Sequence, residues 1–404
     1  MIFNLVCDDS TIVRYDNNKN DFIEAYQKPK PITGCPLNFN PPPQNNNKKV
    51  IQRLQLVLGY ACNYNCFYCS QRLNHDRATG KQDIDNWIRI LESIDHDFHV
   101  GQFIELWGGE PLLYWKTIKG ILPHIKRIWP NLNVFVTTNG SLLTEQKIKT
   151  LHKYGVRLQI SHDGPAQTIV RNKDDIFDDP EIVDAIKLAA EYQMVTFHPV
   201  ITKYNCDLRN LWNYLYERFP TIDIIPEGVV NCFNYNINEV NTPFNEEQQQ
   251  VFMESFLDLM KVVNPMGGRQ YGVWHDIDNF IKGLGYQHLA GCTCYGSHKL
   301  VVDYNGDILR CHTESKNAQH QLGNITQPIY FFDKKQSIMH MKDSRQLCND
   351  SCIAYNTCAG SCPVVSEDKF DSRHCINKQM VAKTLLVGSV QYLFDKNVIE
   401  ISCE

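Results

Sequence analysis

The chain has 404 residues, of which 43% are hydrophobic and 21% charged, so it is long enough for two domains with ordinary buried cores. Its formal net charge of -5 gives no reason to expect nonspecific binding to nucleic acid or to a membrane surface. No stretch approaches the roughly 18 apolar residues of a membrane span, and the N-terminus lacks the basic segment of a signal peptide. We therefore expect a globular, cytoplasmic protein without a membrane span.

Residues 1–50 begin with a few strand-like residues and continue into a polar, proline-rich stretch from Pro41 to Lys49. A segment of this composition cannot pack a core, so residues 1–50 are interpreted as an N-terminal extension and linker. The segment is too short for a separate folded recognition module.

From residue 51 onward, short apolar runs alternate with amphipathic stretches, a pattern typical of β-α units around a parallel sheet. Helices are expected between the strands, for example at 144–154 and 181–193. Six units within residues 51–230 predict an α/β fold, a partial (β/α)6 TIM-type barrel with its functional residues at the carboxyl ends of the strands. The predicted strands are 53–59, 103–108, 132–138, 157–162, 195–202 and 223–229.

Three cysteines, Cys62, Cys66 and Cys69, follow the first predicted strand in a C-x3-C-x2-C pattern. Sixteen cysteines in a reducing cytoplasm favour metal ligation over disulfides. Three thiolates on one short loop can hold three irons of a four-iron cluster and leave the fourth iron open to a ligand. The alternatives are a zinc site that draws three of its ligands from this loop, or buried thiols that cluster by chance.

With Tyr68 in its aromatic position, this loop resembles that of the radical S-adenosylmethionine (radical SAM) superfamily. The resemblance implies a [4Fe-4S] site cluster on Cys62, Cys66 and Cys69. It also implies that the amino and carboxylate groups of S-adenosylmethionine chelate the open iron, and that Tyr68 lies against the adenine.

Motifs at the later strand ends extend the resemblance. Residues 108–110 resemble the family's GGE motif, which binds the amino group of the cofactor, although paired glycines alone also indicate a simple turn. Residues 138–140 and 161–164 resemble its TNG and S-x-D-G segments, whose polar side chains face the ribose and carboxylate of the cofactor. The resemblance assigns cofactor binding to Tyr68, Gly108, Gly109, Glu110, Asn139, Ser161, Asp163 and Arg171.

Relatives with an S-x-D-G segment often carry an arginine about ten residues beyond the Asp of that segment, near the cofactor carboxylate. Here Arg171 lies eight residues beyond Asp163 and Lys173 ten residues beyond it. Either cation could face a carboxylate, and we favour Arg171 because only arginine presents a planar fork.

Two polar residues near the last predicted strands, His198 and Glu227, are candidates for a catalytic acid or base at the barrel mouth. A satisfied structural polar group is the more common role for either residue type. His162 should point away from Ser161, into the barrel wall or its helices, because successive strand residues face opposite sides.

Residues 231–290 are interpreted as a helical bridge. Asn245 and Gln248 form an N-terminal capping pattern, and Phe252, Phe256, Leu259 and Val263 form one apolar stripe. Such a stripe predicts core packing.

A second field of thiols occupies residues 291–376, followed by an expected C-terminal helix and tail at 377–404. Residues 300–310 predict a hairpin with an Asn-Gly turn, which would bring Cys294 and Cys311 together at its base. Eight thiols suffice for two fully ligated four-iron clusters: Cys292, Cys294, Cys311, Cys348, Cys352, Cys358, Cys362 and Cys375. The other cysteines, Cys7, Cys35, Cys206, Cys232 and Cys403, are interpreted as small apolar residues.

This field resembles the SPASM domain, the two-cluster extension of many radical SAM enzymes that modify peptides and proteins. The resemblance implies a first auxiliary cluster on Cys292, Cys294, Cys311 and Cys362, and a second on Cys348, Cys352, Cys358 and Cys375. Two spacings depart from the family pattern, the x3 between Cys348 and Cys352 and the single residue between Cys292 and Cys294. Cys292 is therefore the least secure ligand, and the first auxiliary cluster could keep an open iron or contain two irons. The alternative is a pair of zinc-thiolate knuckles.

Together these resemblances imply reductive cleavage of S-adenosylmethionine to a 5′-deoxyadenosyl radical that takes hydrogen from a substrate. We expect a peptide or protein side chain as substrate and an external electron donor such as flavodoxin or ferredoxin. Any leader-peptide-binding domain would be a separate protein. The alternatives are a small-molecule or modified-nucleotide substrate, or a non-catalytic iron–sulfur or zinc scaffold.

Overall fold

The computed structural model describes residues 1–24, 48–69, 71, 82–230, 240, 242–262, 272–284, 299–309, 311, 321–325, 351–358 and 374–403. The chain divides into two compact units. The first unit comprises Met1–Asn38, Pro199–Cys292 and Lys342–Glu404, and the second comprises Phe39–His198 and Thr293–Met341.

The described strands, in chain order, are β1 (Ile2–Cys7), β2 (Ile12–Asp16), β3 (Asp21–Phe22), β4 (Lys49–Val57), β5 (Phe98–Trp107), β6 (Asn133–Thr138), β7 (Val156–Ile160), β8 (Val195–Phe197), β9 (Val200–Ile201), β10 (Asp223–Ile224), β11 (Gly228–Val229), β12 (Lys299–Asp303), β13 (Asp307–Leu309), β14 (Gln321–Asn324) and β15 (Val398–Cys403). The described helices are α1 (Ile84–Asp97), α2 (Trp115–Ile128), α3 (Glu145–Lys153), α4 (Gln167–Arg171), α5 (Pro180–Glu191), α6 (Leu208–Tyr216), α7 (Glu246–Val262), α8 (Gly272–Gly283) and α9 (His374–Phe394). Short 3-10 turns lie at Pro111–Tyr114, Gly164–Ala166 and Ile176–Asp178.

The second unit is built on a sheet in the order β8-β7-β6-β5-β4-β12-β13-β14. Strands β4 to β8 pair in parallel, which confirms the predicted α/β class. The predicted hairpin at 300–310 is also present, with Gly306 at φ +80° in its turn. Its first strand, β12, continues the sheet by pairing in parallel with β4, a contact that the sequence did not predict.

One face of this sheet is apolar and the opposite face is partly polar, because successive strand residues point to opposite sides. The apolar face carries Leu54, Leu56, Ile104, Leu106, Val134, Val136, Leu158 and Ile160, all buried. Helix α1 contacts β5, α3 contacts β7 and α5 contacts β8, as expected for β-α units. On the opposite face, Gln55, Glu105, Thr137 and Gln159 are joined by hydrogen bonds between neighbouring strands.

The last two predicted strands were wrong in extent. The strand predicted at 195–202 is interrupted between β8 and β9, and the strand predicted at 223–229 is interrupted between β10 and β11. Each interruption contains a proline, Pro199 in the first and Pro226 in the second. Proline has no backbone N–H to donate to a neighbouring strand, so a continuous ladder is unfavourable at both places. Within the first unit, β9 and β11 pair in parallel.

The first unit contains an antiparallel sheet in the order β15-β1-β2-β3. Its buried face includes Phe3, Leu5, Val13 and Tyr15, which pack against residues of α9 and of the turn 351–358. Residues 1–24 are therefore part of a core, which the interpretation of residues 1–50 as an extension and linker missed. Residues 25–47, including most of the proline-rich stretch, lie outside the described residues.

Helices α7, α8 and α9 contact one another in the first unit. The capping pattern before α7 is confirmed, because the Asn245 and Gln248 side chains each accept from the other residue's backbone N–H, at 3.0 and 2.9 Å. Phe252, Phe256 and Leu259 are buried as predicted, and Val263 lies outside the described residues. None of the helices in the described ranges combines the length and apolarity needed to cross a bilayer.

Candidate cofactor site

The loop with Cys62, Cys66 and Cys69 begins at the carboxyl end of β4, where the backbone N–H of Leu58 donates to Trp107 at 2.8 Å. Cys66 is buried, and the other two thiols are half-buried. Burial raises the pKa of the Cys62 and Cys66 thiols to about 12. The Sγ of Cys62 accepts from the backbone N–H of Tyr64 at 3.4 Å. The loop thus places three sulfur donors at the edge of the sheet where the other candidate residues lie.

Gly108 and Gly109 lie directly against the start of this loop. The N–H of Gly109 donates to the carbonyl of Gly59, and the N–H of Glu110 donates to that of Ala61, both at 2.9 Å. A Cβ on Gly109 would lie 2.3 Å from the Ala61 oxygen, and one on Gly108 would lie 2.4 Å from the Gly59 oxygen. The glycines are therefore required by the close approach of two backbone segments, and their role in cofactor binding stays a prediction.

The Glu110 carboxylate is fully buried and accepts three hydrogen bonds. Oε1 accepts from the Leu112 N–H at 2.9 Å and from the Thr138 hydroxyl at 2.7 Å, and Oε2 accepts from the Asn139 N–H at 2.7 Å. Burial raises the pKa of Glu110, while these donors act in the opposite direction. The carboxylate thus links the ends of β5 and β6, and acceptor capacity remains on Oε2 for one further donor.

Asn139 extends this network to the cysteine loop. Its Nδ2 donates to the side-chain oxygen of Asn63 at 2.9 Å, and the Asn63 amide donates to the Ser141 hydroxyl at 2.8 Å. The N–H of Ala61 donates to the Tyr114 hydroxyl at 3.0 Å. The first half of the loop is therefore held by side chains that follow β5 and β6.

The second half of the loop is held by residues that follow β7. The Tyr68 hydroxyl donates to Oδ2 of Asp163 at 2.7 Å, and Phe67 N–H donates to the Val170 carbonyl at 2.9 Å. Arg171 forms a fork with the same carboxylate, from Nε at 2.8 Å and Nη2 at 3.2 Å. Asp163 and Arg171 are both buried. Burial alone would lower the pKa of Arg171, but the adjacent Asp163 carboxylate keeps it well above its usual value.

The predicted cation for the cofactor carboxylate is thus engaged with a carboxylate of the protein itself. Lys173, the other candidate, is exposed. Ser161 is half-buried beside β6, where its N–H donates to the Thr138 carbonyl at 2.9 Å. His162 points away from it as predicted, because its Nε2 lies 2.8 Å from Asp175 and its ring stacks on Phe177.

The structure places the two candidate acid–base residues in different surroundings. His198 is buried, and its Nε2 lies 3.0 Å from the Thr196 hydroxyl. Glu227 is exposed, and its backbone N–H donates to the Pro199 carbonyl at 2.8 Å. A catalytic role for either residue stays a prediction.

Gln167 was missed by the sequence interpretation. It is the first residue of α4, is only 1% exposed, and accepts from the Asp163 N–H through Oε1 at 3.0 Å. The sequence signal for this contact is the spacing of four residues between Asp163 and Gln167. In a short helix after the strand end, residues four apart lie on the same side, so Gln167 comes close to Asp163.

Four of the eight C-terminal thiols lie in the described residues. Cys352 and Cys358 are half-buried against the core of the first unit, and the amide of Gln379 donates to the Cys352 sulfur at 3.6 Å. Cys375 lies in the first turn of α9, and Cys311 is buried just after β13 in the second unit. The other predicted ligands, Cys292, Cys294, Cys348 and Cys362, are outside the described residues, as are Cys35 and Cys232. Of the remaining cysteines, Cys7 and Cys206 are buried as expected of small apolar residues, while Cys403 is exposed.

The cysteine loop fits an iron–sulfur cluster in the number and chemical type of its donors, and it is anchored by hydrogen bonds on both sides. Gln167 also fits a bound cofactor, because its buried amide nitrogen has no partner among the residues that the structure describes. In the part of the chain that the structure describes, no three His, Cys, Asp or Glu side chains lie close enough together to hold a metal ion. This statement also applies to the three thiols of the loop.

Residues 56–208 match the family model described as the radical SAM superfamily. They form a radical SAM domain. The match begins within β4 and ends in α6, so it contains the cysteine loop and every residue that anchors it. The match therefore assigns this part of the chain to the radical SAM superfamily.

Curated proteins similar to this chain are named as different enzymes. The chain is 25% identical over 359 residues to the radical SAM cyclopropyl synthase TigE of Paramaledivibacter caminithermalis, a match that covers 79% of this chain and 69% of TigE. It is 25% identical over 109 residues to the S-adenosyl-L-methionine-dependent 2-deoxy-scyllo-inosamine dehydrogenase of Niallia circulans, covering 27% of this chain and 43% of that enzyme.

Solved structures with the same fold include anSMEcpe with bound AdoMet, at a TM-score of 0.61 and 17% identity, covering 84% of this chain and 96% of that one. Streptococcus suis SuiB bound to the precursor peptide SuiA gives a TM-score of 0.53 at 15% identity, covering 78% of this chain and 72% of SuiB. At these identities the likeness concerns the fold alone.

Proposed function

We propose that the protein cleaves S-adenosylmethionine reductively at the Cys62–Cys69 loop and removes a hydrogen atom from a side chain of a peptide or protein. The observation that carries this proposal is the anchoring of the loop from both sides, by Glu110 and Asn139 on one side and by Asp163 on the other. A reactive centre requires donors held in a fixed geometry by packed surroundings. A zinc or iron scaffold without turnover has no need of this many buried polar residues around one loop.

Each residue then has a defined task. Cys62, Cys66 and Cys69 would hold three irons of a [4Fe-4S] cluster and leave the fourth for S-adenosylmethionine. When bound, the cluster supplies the electron that splits the cofactor into methionine and a 5′-deoxyadenosyl radical. Glu110 would accept from the cofactor's ammonium through its remaining acceptor site, and Tyr68 would lie beside the adenine. Gly108, Gly109, Asn139, Ser161, Asp163 and Arg171 complete the proposed cofactor-binding set.

The peptide substrate is supported by two proteins that share the fold. SuiB has been solved bound to its precursor peptide SuiA, and anSMEcpe has been solved with AdoMet and the Cp18Cys peptide. By this reading a separate protein would bind any leader peptide, and a flavodoxin or ferredoxin would donate electrons. The thiol-rich composition suits the reducing cytoplasm.

A small-molecule substrate is the second candidate. The relative from Niallia circulans is a 2-deoxy-scyllo-inosamine dehydrogenase, and its similarity to this chain covers 27% of the chain. The polar row on the sheet also suits a small polar ligand, because it groups the Glu105 carboxylate with the Gln55 amide at 2.8 Å and the Thr137 hydroxyl at 3.2 Å.

Residues 291–376 are proposed to be a SPASM-like domain that holds two auxiliary clusters with the ligand sets given above. The observation in favour is that Cys352 and Cys358 lie on one eight-residue turn with buried neighbours Ile353 and Ala354. Metal binding would contribute to the folding free energy of this segment.

Anaerobic reconstitution followed by product analysis tests the proposal. The wild-type chain should bind about twelve iron per chain, or about ten if the first auxiliary cluster has two irons, and should release 5′-deoxyadenosine after reduction. Replacing Cys62, Cys66 and Cys69 with alanine should abolish that release, whereas Cys403→Ala, a change at an exposed cysteine outside both groups, should not. Release at the wild-type rate by the triple variant would contradict the proposal. Mass spectrometry of candidate peptides and aminocyclitols then decides between the two substrate classes.

A further inference from the structure

The buried amide nitrogen of Gln167 lacks a hydrogen-bond partner among the residues that the structure describes. The Oε1 atom accepts from the Asp163 N–H at 3.0 Å, and because a backbone N–H can only donate, this bond fixes which end of the amide is the nitrogen. The side chain is 1% exposed, and Nε2 contacts no acceptor in the described part of the chain. A buried donor of this kind is unfavourable unless a ligand or water completes it.

The position of Gln167 relates it to the cysteine loop. Asp163, to which Gln167 is bonded, also accepts from Tyr68 of that loop at 2.7 Å. Val170, in the same short helix, accepts from the Phe67 N–H at 2.9 Å. Helix α4 therefore borders the loop, and Gln167 lies at the end of α4 that meets the carboxyl end of β7.

The charged side chain of α4, Arg171, is committed elsewhere. The Arg171 guanidinium forms its fork with Asp163, so a new ligand would have to compete with a buried carboxylate for it. Gln167 instead offers two N–H groups that need an acceptor. Its neutral amide can bind an oxygen without displacing an existing ion pair.

We propose that Gln167 is a cofactor-binding residue whose Nε2 donates to an acceptor oxygen of S-adenosylmethionine, either on its carboxylate or on its ribose. Arg171 then serves the proposed cofactor-binding set indirectly, because it neutralises Asp163 and lies over the Tyr68 ring. This inference rests on the proposed function, because it requires S-adenosylmethionine to bind at the cysteine loop.

The test is the dissociation constant of S-adenosylmethionine for the reconstituted full chain, measured by equilibrium dialysis. Gln167→Met keeps the size of the side chain and removes the donor, and Gln167→Glu keeps an acceptor for Asp163 N–H while replacing the donor. Both should raise the dissociation constant by about 10- to 100-fold, as expected for the loss of a hydrogen bond to a charged or strongly polar group. Gln146→Glu, at an exposed position of α3, is the matched control and should leave it unchanged.

Two further measurements separate the outcomes. Iron content should be unchanged in both Gln167 variants, because Gln167 is not a ligand of the proposed cluster. The melting temperature of the cofactor-free chain should fall in Gln167→Met, which removes the acceptor of the Asp163 N–H, and should fall less in Gln167→Glu, which keeps an acceptor oxygen there. Binding of 5′-deoxyadenosine, which lacks the carboxylate, should weaken in the variants only if the acceptor is on the ribose. Wild-type affinity for S-adenosylmethionine in both Gln167 variants would overturn this inference alone. Failure of the wild-type chain to bind the cofactor would overturn the proposed function with it.

Discussion

Replacing Arg171 with methionine should loosen the second half of the cysteine loop. The Asp163 carboxylate is completely buried and would lose both hydrogen bonds from the Arg171 guanidinium while it keeps the one from the Tyr68 hydroxyl. Removing one partner of a buried ion pair typically costs about 3–5 kcal/mol, because the other charge stays in a poorly polar environment. Arg127→Met is the matched control, since it removes an exposed guanidinium that lies 3.2 Å from Glu92 and should cost at most about 1 kcal/mol.

Hydrogen exchange on the cofactor-free chain is the appropriate assay because it reports local opening rather than a single global transition. Peptides covering residues 61–69 and 163–171 should exchange faster in Arg171→Met than in Arg127→Met. Adding Asp163→Asn should restore part of the protection, since the double variant leaves no unpaired charge and the Asn oxygen can still accept from Tyr68. Equal exchange in both single variants, or a double variant less protected than Arg171→Met, would refute this account of the pair.

Three further changes test other parts of the structure. Burial raises the pKa of Asp303 from 3.8 to about 6, so the folded chain favours the protonated carboxyl group. The free energy of unfolding should therefore fall by up to about 3 kcal/mol as the pH rises from 4 to 7 and the group loses its proton. Asp303→Asn should remove that fall because an amide does not titrate, and its oxygen can still accept from the N–H groups of the turn. Urea titrations at both pH values measure the difference. Gly109→Ala should lower iron loading, measured colorimetrically, because its Cβ would lie 2.3 Å from the Ala61 oxygen. Replacing Cys352 and Cys358 with alanine should increase protease cleavage beyond about residue 290, seen by mass spectrometry, if metals stabilise that segment.

The sequence predicted the parallel sheet and the cysteine loop because both depend on local patterns. Apolar runs at strand spacing and three closely spaced thiols need no knowledge of distant contacts. The interruptions at Pro199 and Pro226 were also visible in the sequence, yet the apolar residues on either side of each proline were read as one strand. The pairing of β1 with β15 joins residues almost 400 positions apart, and no local pattern indicates such a contact.

The surroundings of Arg171 show a different limit. An arginine near a strand end indicates a carboxylate partner, but it does not distinguish a cofactor carboxylate from that of Asp163, because both accept the same fork. The structure supplies the 2.8 and 3.2 Å contacts that identify Asp163 as a partner. The same applies to Gln167. The sequence does not show that its amide oxygen accepts from the Asp163 N–H, or that its amide nitrogen has no partner among the described residues.

The pairing of β1 with β15 also bears on the order in which the protein is made. On the ribosome, β1 is synthesised almost 400 residues before β15, and the edge of β1 that β15 covers stays open until β15 has emerged. The cysteine loop differs, because the hydrogen bonds described above for its anchoring join residues between 59 and 171. We therefore expect the loop to be assembled while the C-terminal thiols are still being translated, so that its proposed cluster can form before the proposed ligands of the auxiliary clusters have emerged.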